Sequence, residues 1–391
     1  PPHGSGSITG RYELYKWTTR GPADASPQAA AAAAAHRMLL SSFGHVPAAR
    51  ARLADAYAAS LAKVPSGAAK DQGVRYGERA ADRILALRID DGRFGTLRFT
   101  MPLAPGVWRP TPPAMAPFFG PWLSRLRPML LTTDGQETNW GGLNANPSAW
   151  GAPRNPDGTV RGEVDWWTKW RAAAPPTLTS AAYAADFNEV KTVGSKNSAV
   201  RTAAQTETAL FINPIAPAAL QAALRDLVTR RGMDISDSAR LFAAVNMSVG
   251  DAGRVTWDNK FHYGLWRPIT AIQLADTDGN AGTEADPTWE PLIVNPPYPD
   301  YTSGLNSVTS SASRALARVL GTDRIDLYIT STGTGTPITR HYATADALCR
   351  DAMDARVWAG IHFRFADTAA DDTGKRVADW ALDHYFRPTA A

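Results

Sequence analysis

Three short segments in the C-terminal part of the chain carry residues that could hold a multiply charged anion. The first, WDNKFHYGLWRPITAI, places Lys260 and Arg267 seven residues apart. On a continuous helix that spacing is two turns, and both cations would project from one face. The second, PPYPDYTSGLNSVTSSASRAL, approaches through prolines and turns at Thr302-Ser303-Gly304 into a helical pattern. A hydroxyl beside the free N–H groups of a helix start suits phosphate-like anions. The third, DARVWAGIHFRFAD, pairs Arg356, a planar fork suited to tetrahedral oxyanions, with His362, an imidazole between the apolar Ile361 and Phe363. Six residues apart, these two stand about 120° from each other on an ideal helix, so an anion would sit between their side chains. Each segment alone has an ordinary structural role: a salt-bridged face, an N-cap, a buried histidine.

The elements that must position these residues read mostly as helices. The run AAAAAAAHRMLLSSF joins the strongest helix formers to an apolar face over 27–43. Further helical patterns cover 47–62, 68–88, 180–190, 197–211 and 216–232. Another, capped by Ser236 or Asp237, runs toward Lys260. Strand signals are sparse, so the expected architecture is all-α, built from packed bundles with long irregular loops. Residues 1–26, rich in Gly, Ser and Pro, read as an N-terminal arm, and 27–391 as a single helical domain whose 236–386 half carries the three segments. Residues 100–176 hold thirteen prolines and several tryptophans without periodicity, the pattern of a functional loop or cover. DTDGNAGTEADP, 276–287, resembles a calcium loop. Its glycine is misplaced by one and Pro287 stands where the bidentate glutamate belongs, so it reads as a plain loop.

Composition narrows the function classes. With 391 residues and 44% hydrophobic content the chain can bury a large core. The net charge is only +4, and residues 251–391 are net acidic, with 13 basic against 18 acidic side chains. No Lys/Arg block interleaved with aromatics appears, which argues against nucleic acid as a partner. The single cysteine, Cys349, excludes an internal disulfide or a multi-cysteine metal site and reads as a small buried apolar residue. No apolar run approaches the length of a membrane span. The sequence opens at Pro1 and shows no signal peptide, which leaves localisation open, with export of a processed form as one expectation.

In chain order the three segments spell K-x6-R-P, then S-G, then R-x5-H. That combination resembles the vanadium-dependent haloperoxidases and the related type 2 phosphatidic acid phosphatases, whose shared pattern is K-x6-R-P, P-S-G-H, S-R-x5-H. Flanking text such as AAYAADFNEVKTVGSKNSAVRTAAQTETALF and GIHFRFAD looks like the bacterial branch, and the similarity covers roughly 27–386. The resemblance implies a haloperoxidase-like helical fold. In it Lys260, Arg267, Ser303, Gly304 and Arg356 would hold the oxygens of vanadate, or of phosphate in its place. His362 would be the axial vanadium ligand of a peroxidase or the nucleophile of a phosphatase, with Lys260 and Arg356 beside it in the catalytic set. It further implies hydrogen peroxide, halide and a small organic molecule as partners, and a homodimer.

Three positions depart from the pattern: Thr302 replaces proline, Ala355 replaces serine, and Leu305 replaces the histidine that serves the family as acid–base catalyst. A proton-transfer group contributes typically ~10²–10⁴ in rate, and leucine has no proton to give. One answer is compensation, by His262 or His341, or by Asp258 or Asn306. A second is changed chemistry, a rearrangement or cyclisation in natural-product biosynthesis without vanadium, with Leu305 and Trp266 lining an organic pocket. A third is a catalytically silent cradle that binds phosphate or vanadate.

Overall fold

The computed structural model describes residues 8–16, 20–131, 169–214 and 217–389. The middle of the 100–176 segment, with its TNWGGLNANPSAWGAPRNPDG run, lies outside the described residues, as does part of the N-terminal arm. Among the described residues the fold is helical, with eleven α-helices and one two-stranded antiparallel sheet. The chain partitions into two compact units, one of residues 1–91, 228–244 and 382–391, the other of 92–227 and 245–381.

In the first unit α1 (Pro27–Phe43) begins at Ser26, whose hydroxyl accepts from the Ala29 N–H at 3.2 Å, with Pro27 in the first turn where its missing N–H costs nothing. α2 spans Pro47–Ala62 and α3 Ala68–Leu87. α1 and α3 pack through small residues, Ala29, Ala30 and Ala33 against Gly73 and Gly77. A Cβ on Gly77 would fall 2.1 Å from the Ala30 carbonyl oxygen, so only glycine permits that approach. The arm is tied down by Arg11, which donates to Asp234 at 2.6 Å, and by Tyr12, which bonds Asp237.

The second unit contains α4 (Ala181–Val193), α5 (Ala203–Ile212), α9 (Gly304–Leu320), the hairpin β1 (Leu327–Ser331) and β2 (Ile338–Tyr342), and α10 (Ala345–Trp358). α6 (Pro217–Arg230), α7 (Ile235–Tyr263) and α11 (Arg364–His384) lie in it for most of their length, and α8 (Pro268–Gln273) wholly. α5 starts later than the 197–211 pattern suggested because Thr202 and Gln205 form a capping box, which fixes the first turn there. The cap of α7 is Asp234, not Ser236 or Asp237: its Oδ1 accepts from both of their N–H groups at 2.9 Å.

The core of this unit joins Tyr183, Phe187 and Val190 of α4 to Leu265, Trp266, Ile269 and Phe363. Each such side chain contributes roughly 1.5–3 kcal/mol on burial. α9 and α11 approach almost to backbone contact, since a Cβ on Gly374 would lie 2.3 Å from the Ser307 oxygen. These contacts hold rigid the strands of chain that carry the anion-binding candidates.

Candidate functional site

Lys260 and Arg267 do not share a helix face. α7 ends at Tyr263, because Gly264 takes φ +55, a left-handed conformation that stops the helix, and Arg267 is the N-cap of the separate helix α8. The turn nevertheless brings both cations to the same stretch of backbone. Lys260 Nζ donates to the carbonyls of Pro299 at 2.7 Å and Asp300 at 2.9 Å. Arg267 Nε donates to the Tyr298 carbonyl at 2.8 Å and Nη1 to the Ile361 carbonyl at 2.7 Å. The Tyr298 ring stands over both, 4.9 Å from Lys260 Nζ and 4.9 Å from the Arg267 guanidinium carbon.

A second left-handed glycine, Gly360 at φ +77, separates Arg356 from His362. Arg356 sits in the last turn of α10 and donates through Nη1 to Asn213 at 3.1 Å. His362 lies in the connection to α11, so the helical angle expected between the two does not apply. Its Nε2 is 3.1 Å from Arg267 Nη1, and its Nδ1 is 2.7 Å from Asp300 Oδ1, a close approach without hydrogen-bond alignment. An acceptor Nε2 facing a guanidinium requires the Nδ1–H tautomer of a neutral ring. Burial, with Arg267, Lys260 and Arg356 adding to it, holds the His362 pKa well below its ordinary value, which agrees with that state.

Ser303 is the N-cap of α9 but uses no side-chain cap bond, and Asn306 donates to its hydroxyl at 3.3 Å. Gly304 opens the helix, and a Cβ there would lie 3.4 Å from Trp257 and 4.0 Å from Lys260 Cε, in the space beside the ammonium. The structure therefore brings Lys260, Arg267, Arg356 and His362 into one electrostatic cluster and sets the Gly304 turn against it.

Two buried carboxylates, absent from the sequence reading, complete the cluster. Asp300 lies 3.6 Å from Arg267, and its pKa is pushed up to about 7 by burial, against the pull of Arg267 and Lys260. Asp367 accepts from Asn306 at 2.5 Å, and burial likewise pushes it well above the carboxylate range. Burial lowers the pKa of Lys260, with Arg267 adding to the effect, and it lowers those of Arg267 and Arg356. These shifts describe cations in need of negative charge, and an oxyanion among them would supply it.

The donor set fits an oxyanion on a further observation. Arg267 Nη2 and Arg356 Nε are buried and have no hydrogen-bond partner, and each such orphaned donor costs about 1–3 kcal/mol. Oxygens of vanadate or phosphate would satisfy both, while the lone pair of His362 Nε2 could make a coordinate or covalent bond.

The other sequence candidates are placed elsewhere. His262 follows Lys260 by two residues on α7, about 200° around the helix, so while Lys260 points inward His262 is exposed against the Tyr263 ring. His341 lies on β2, stacked on Tyr328 and 2.6 Å from Asp326. Trp266 is fully buried, its indole N–H donating to the Tyr183 hydroxyl at 3.1 Å, and so packs the core instead of lining a pocket. Asp258 is held by Arg171 at 2.6 Å. Leu305 is half-buried at the second position of α9.

Residues 240–390 match the VCPO second helical-bundle domain. The vanadium chloroperoxidase of Curvularia inaequalis is 25% identical to this chain, over 35% of this chain and 29% of that protein. The chain is thus similar to the vanadium-dependent haloperoxidases, and over 240–390 it matches one of their helical-bundle domains. The haloperoxidase-like fold extends over nearly the whole chain. A bacterial vanadium-dependent iodoperoxidase superposes with a TM-score of 0.74 at 20% identity, covering 99% of this chain and 86% of its own. A holo-type bacterial vanadium-dependent chloroperoxidase gives 0.64 at 16% identity, covering 98% and 87%.

Sequence reasoning missed Tyr298, Asp300 and Asp367. The first two stand inside PPYPDYTSGL, beside the residues that were singled out, and Asp367 follows His362 by five positions. An acidic residue between two predicted oxyanion donors is the signal that could have found Asp300.

Proposed function

We propose that this chain binds vanadate among Lys260, Arg267, Ser303, Gly304, Arg356 and His362, and uses it to oxidise halide with hydrogen peroxide, halogenating a small organic substrate. The observation that carries this reading is the pair of partnerless buried donors, Arg267 Nη2 and Arg356 Nε, beside a neutral imidazole whose Nε2 is an acceptor. Bound vanadate would supply a Lewis-acid centre that polarises peroxide toward attack by halide. Lys260, fixed by two carbonyls, and the two arginines would offset its negative charge in a water-poor setting where such interactions are strong. His362 would anchor it through Nε2, exchanging its 3.1 Å contact with Arg267 Nη1 for the bond to the anion. Gly304 would leave room for an oxygen next to Lys260.

The test is halide-dependent consumption of peroxide by the vanadate-loaded protein, with iodide, bromide and chloride in turn and His362→Ala as control. Turnover with at least one halide, lost in the variant, is the expected result. Vanadate binding without turnover with any halide would refute halide oxidation and leave an oxyanion-binding protein.

A further inference from the structure

Resting on the reading of this cluster as an oxyanion site, we infer that Asn306 is a positioning residue, which holds the Ser303 hydroxyl as a donor to the bound oxyanion. Asn306 lies one turn beyond Ser303 at the start of α9, so the two side chains share a face. Its Nδ2 donates to Ser303 Oγ at 3.3 Å and to Asp367 Oδ1, on α11, at 2.5 Å. All three residues are fully buried. The main chain is pinned to the same helix, since the Ser303 N–H donates to the Ala366 carbonyl at 3.0 Å. Both N–H groups of the amide are thereby committed, and neither the amide nor the turn can swing away without stranding a buried polar group.

An amide gives up no proton near neutral pH, so Asn306 cannot take over the acid–base task that Leu305 leaves undone. What it can do is set the direction of its neighbour's hydroxyl. Ser303 does not spend that hydroxyl on capping α9, and Asn306 fills a lone pair of its oxygen, which leaves the proton to be donated. Asp367 is one acceptor within the network, but its Oδ1 is already engaged by Asn306. An oxyanion in the space beside Gly304 and Lys260 is the other, and it carries charge. The bond accepted by the Ser303 oxygen also polarises its O–H and strengthens the bond it donates.

The experiment is a double-mutant cycle on the full chain. The parent, Asn306→Ala, Ser303→Ala and the double variant are titrated by calorimetry with orthovanadate and separately with inorganic phosphate, and their unfolding midpoints are measured in urea. Losing the Ser303 hydroxyl removes a hydrogen bond to a charged group, roughly 10- to 100-fold in affinity. Losing only its alignment frees it among about three staggered positions and removes the polarisation, roughly 3- to 10-fold. The expected result is that Asn306→Ala weakens both anions by that smaller factor in the parent and by less than about twofold in the Ser303→Ala background. Should Asn306→Ala alone unfold, Asn306→Ala/Asp367→Ala removes both ends of the buried bond, a change that can be nearly neutral, and the same comparison is made with and without the Ser303 hydroxyl. A merely structural role for Asn306 would weaken binding equally in both backgrounds. That result, or parent-like affinity in Asn306→Ala, would overturn the inference while leaving the site intact. No binding of either anion by the parent would overturn the site reading and this inference with it, an outcome visible without any variant.

Discussion

Replacing Lys260 by methionine separates what this residue does for the fold from what it does for the anion. Its ammonium is fully buried and makes two hydrogen bonds, at 2.7 and 2.9 Å, to backbone carbonyls. Bonds of a charged donor contribute about 1.5–3 kcal/mol each, so their loss costs roughly 3–6 kcal/mol. Against this, methionine is of similar length and removes a buried charge whose desolvation penalty is several kcal/mol, together with its repulsion from Arg267. The two terms nearly cancel, and the stability of the ligand-free protein should change by no more than about 2 kcal/mol. Anion binding has no such compensation. A unit charge about 4 Å from the ammonium at an effective dielectric of about 20 is worth about 4 kcal/mol, or about a thousandfold in affinity. Denaturant unfolding and vanadate titration of Lys260→Met measure the two quantities, with Lys196→Met, a solvent-exposed lysine paired with Glu290, as the control for general charge loss. Vanadate affinity within tenfold of the parent would refute the placement of Lys260 against the anion.

Three further outcomes follow from the packing. In Gly304→Ala the new methyl meets Trp257 at an ordinary 3.4 Å but fills space beside Lys260. Stability should hold within about 1 kcal/mol while vanadate affinity falls at least about tenfold, and equal affinity by titration would count against the cradle. Asp251 is buried and accepts from the N–H groups of Met129, Leu130 and Leu131 at 2.7, 2.7 and 2.9 Å. Asp251→Ala strands three donors and should lower the unfolding free energy by roughly 3–5 kcal/mol in denaturant melts, and a loss under 1 kcal/mol would mean water replaces the carboxylate. Burial pushes the Cys349 thiol up to about 11. At pH 8 it is therefore protonated, and a thiol reagent should modify the native protein far more slowly than the unfolded chain; equal rates would place Cys349 at the surface.

The helices were legible in the sequence because their signals are local. The alanine run over 27–43 lies within a turn or two of what it specifies, whereas the equally local Thr202–Gln205 capping box was overlooked and the start of α5 was placed too early. The donor types Lys260, Arg267, Arg356 and His362 were legible for the same reason, as motifs read along the chain. Their mutual placement was not, because it turns on two backbone breaks. Gly264 ends α7 between the first two and Gly360 ends the run between the last two, so helical arithmetic failed at both. Burial was equally hidden: His262 and Lys260 look alike as neighbours in sequence, yet one is exposed and the other enclosed. Asp300 and Asp367 escaped notice because a carboxylate among anion-binding cations makes sense only once both are seen to be buried with raised proton affinity.

The central claim is that three buried cations and one neutral histidine form a single oxyanion site. Equilibrium binding of vanadate to the parent protein and to His362→Ala, measured side by side, tests it most directly. Saturable binding of one vanadate per chain, lost in the variant while its unfolding midpoint is retained, is the predicted result. Absence of saturable binding by the parent, or binding by His362→Ala with undiminished affinity, would contradict it.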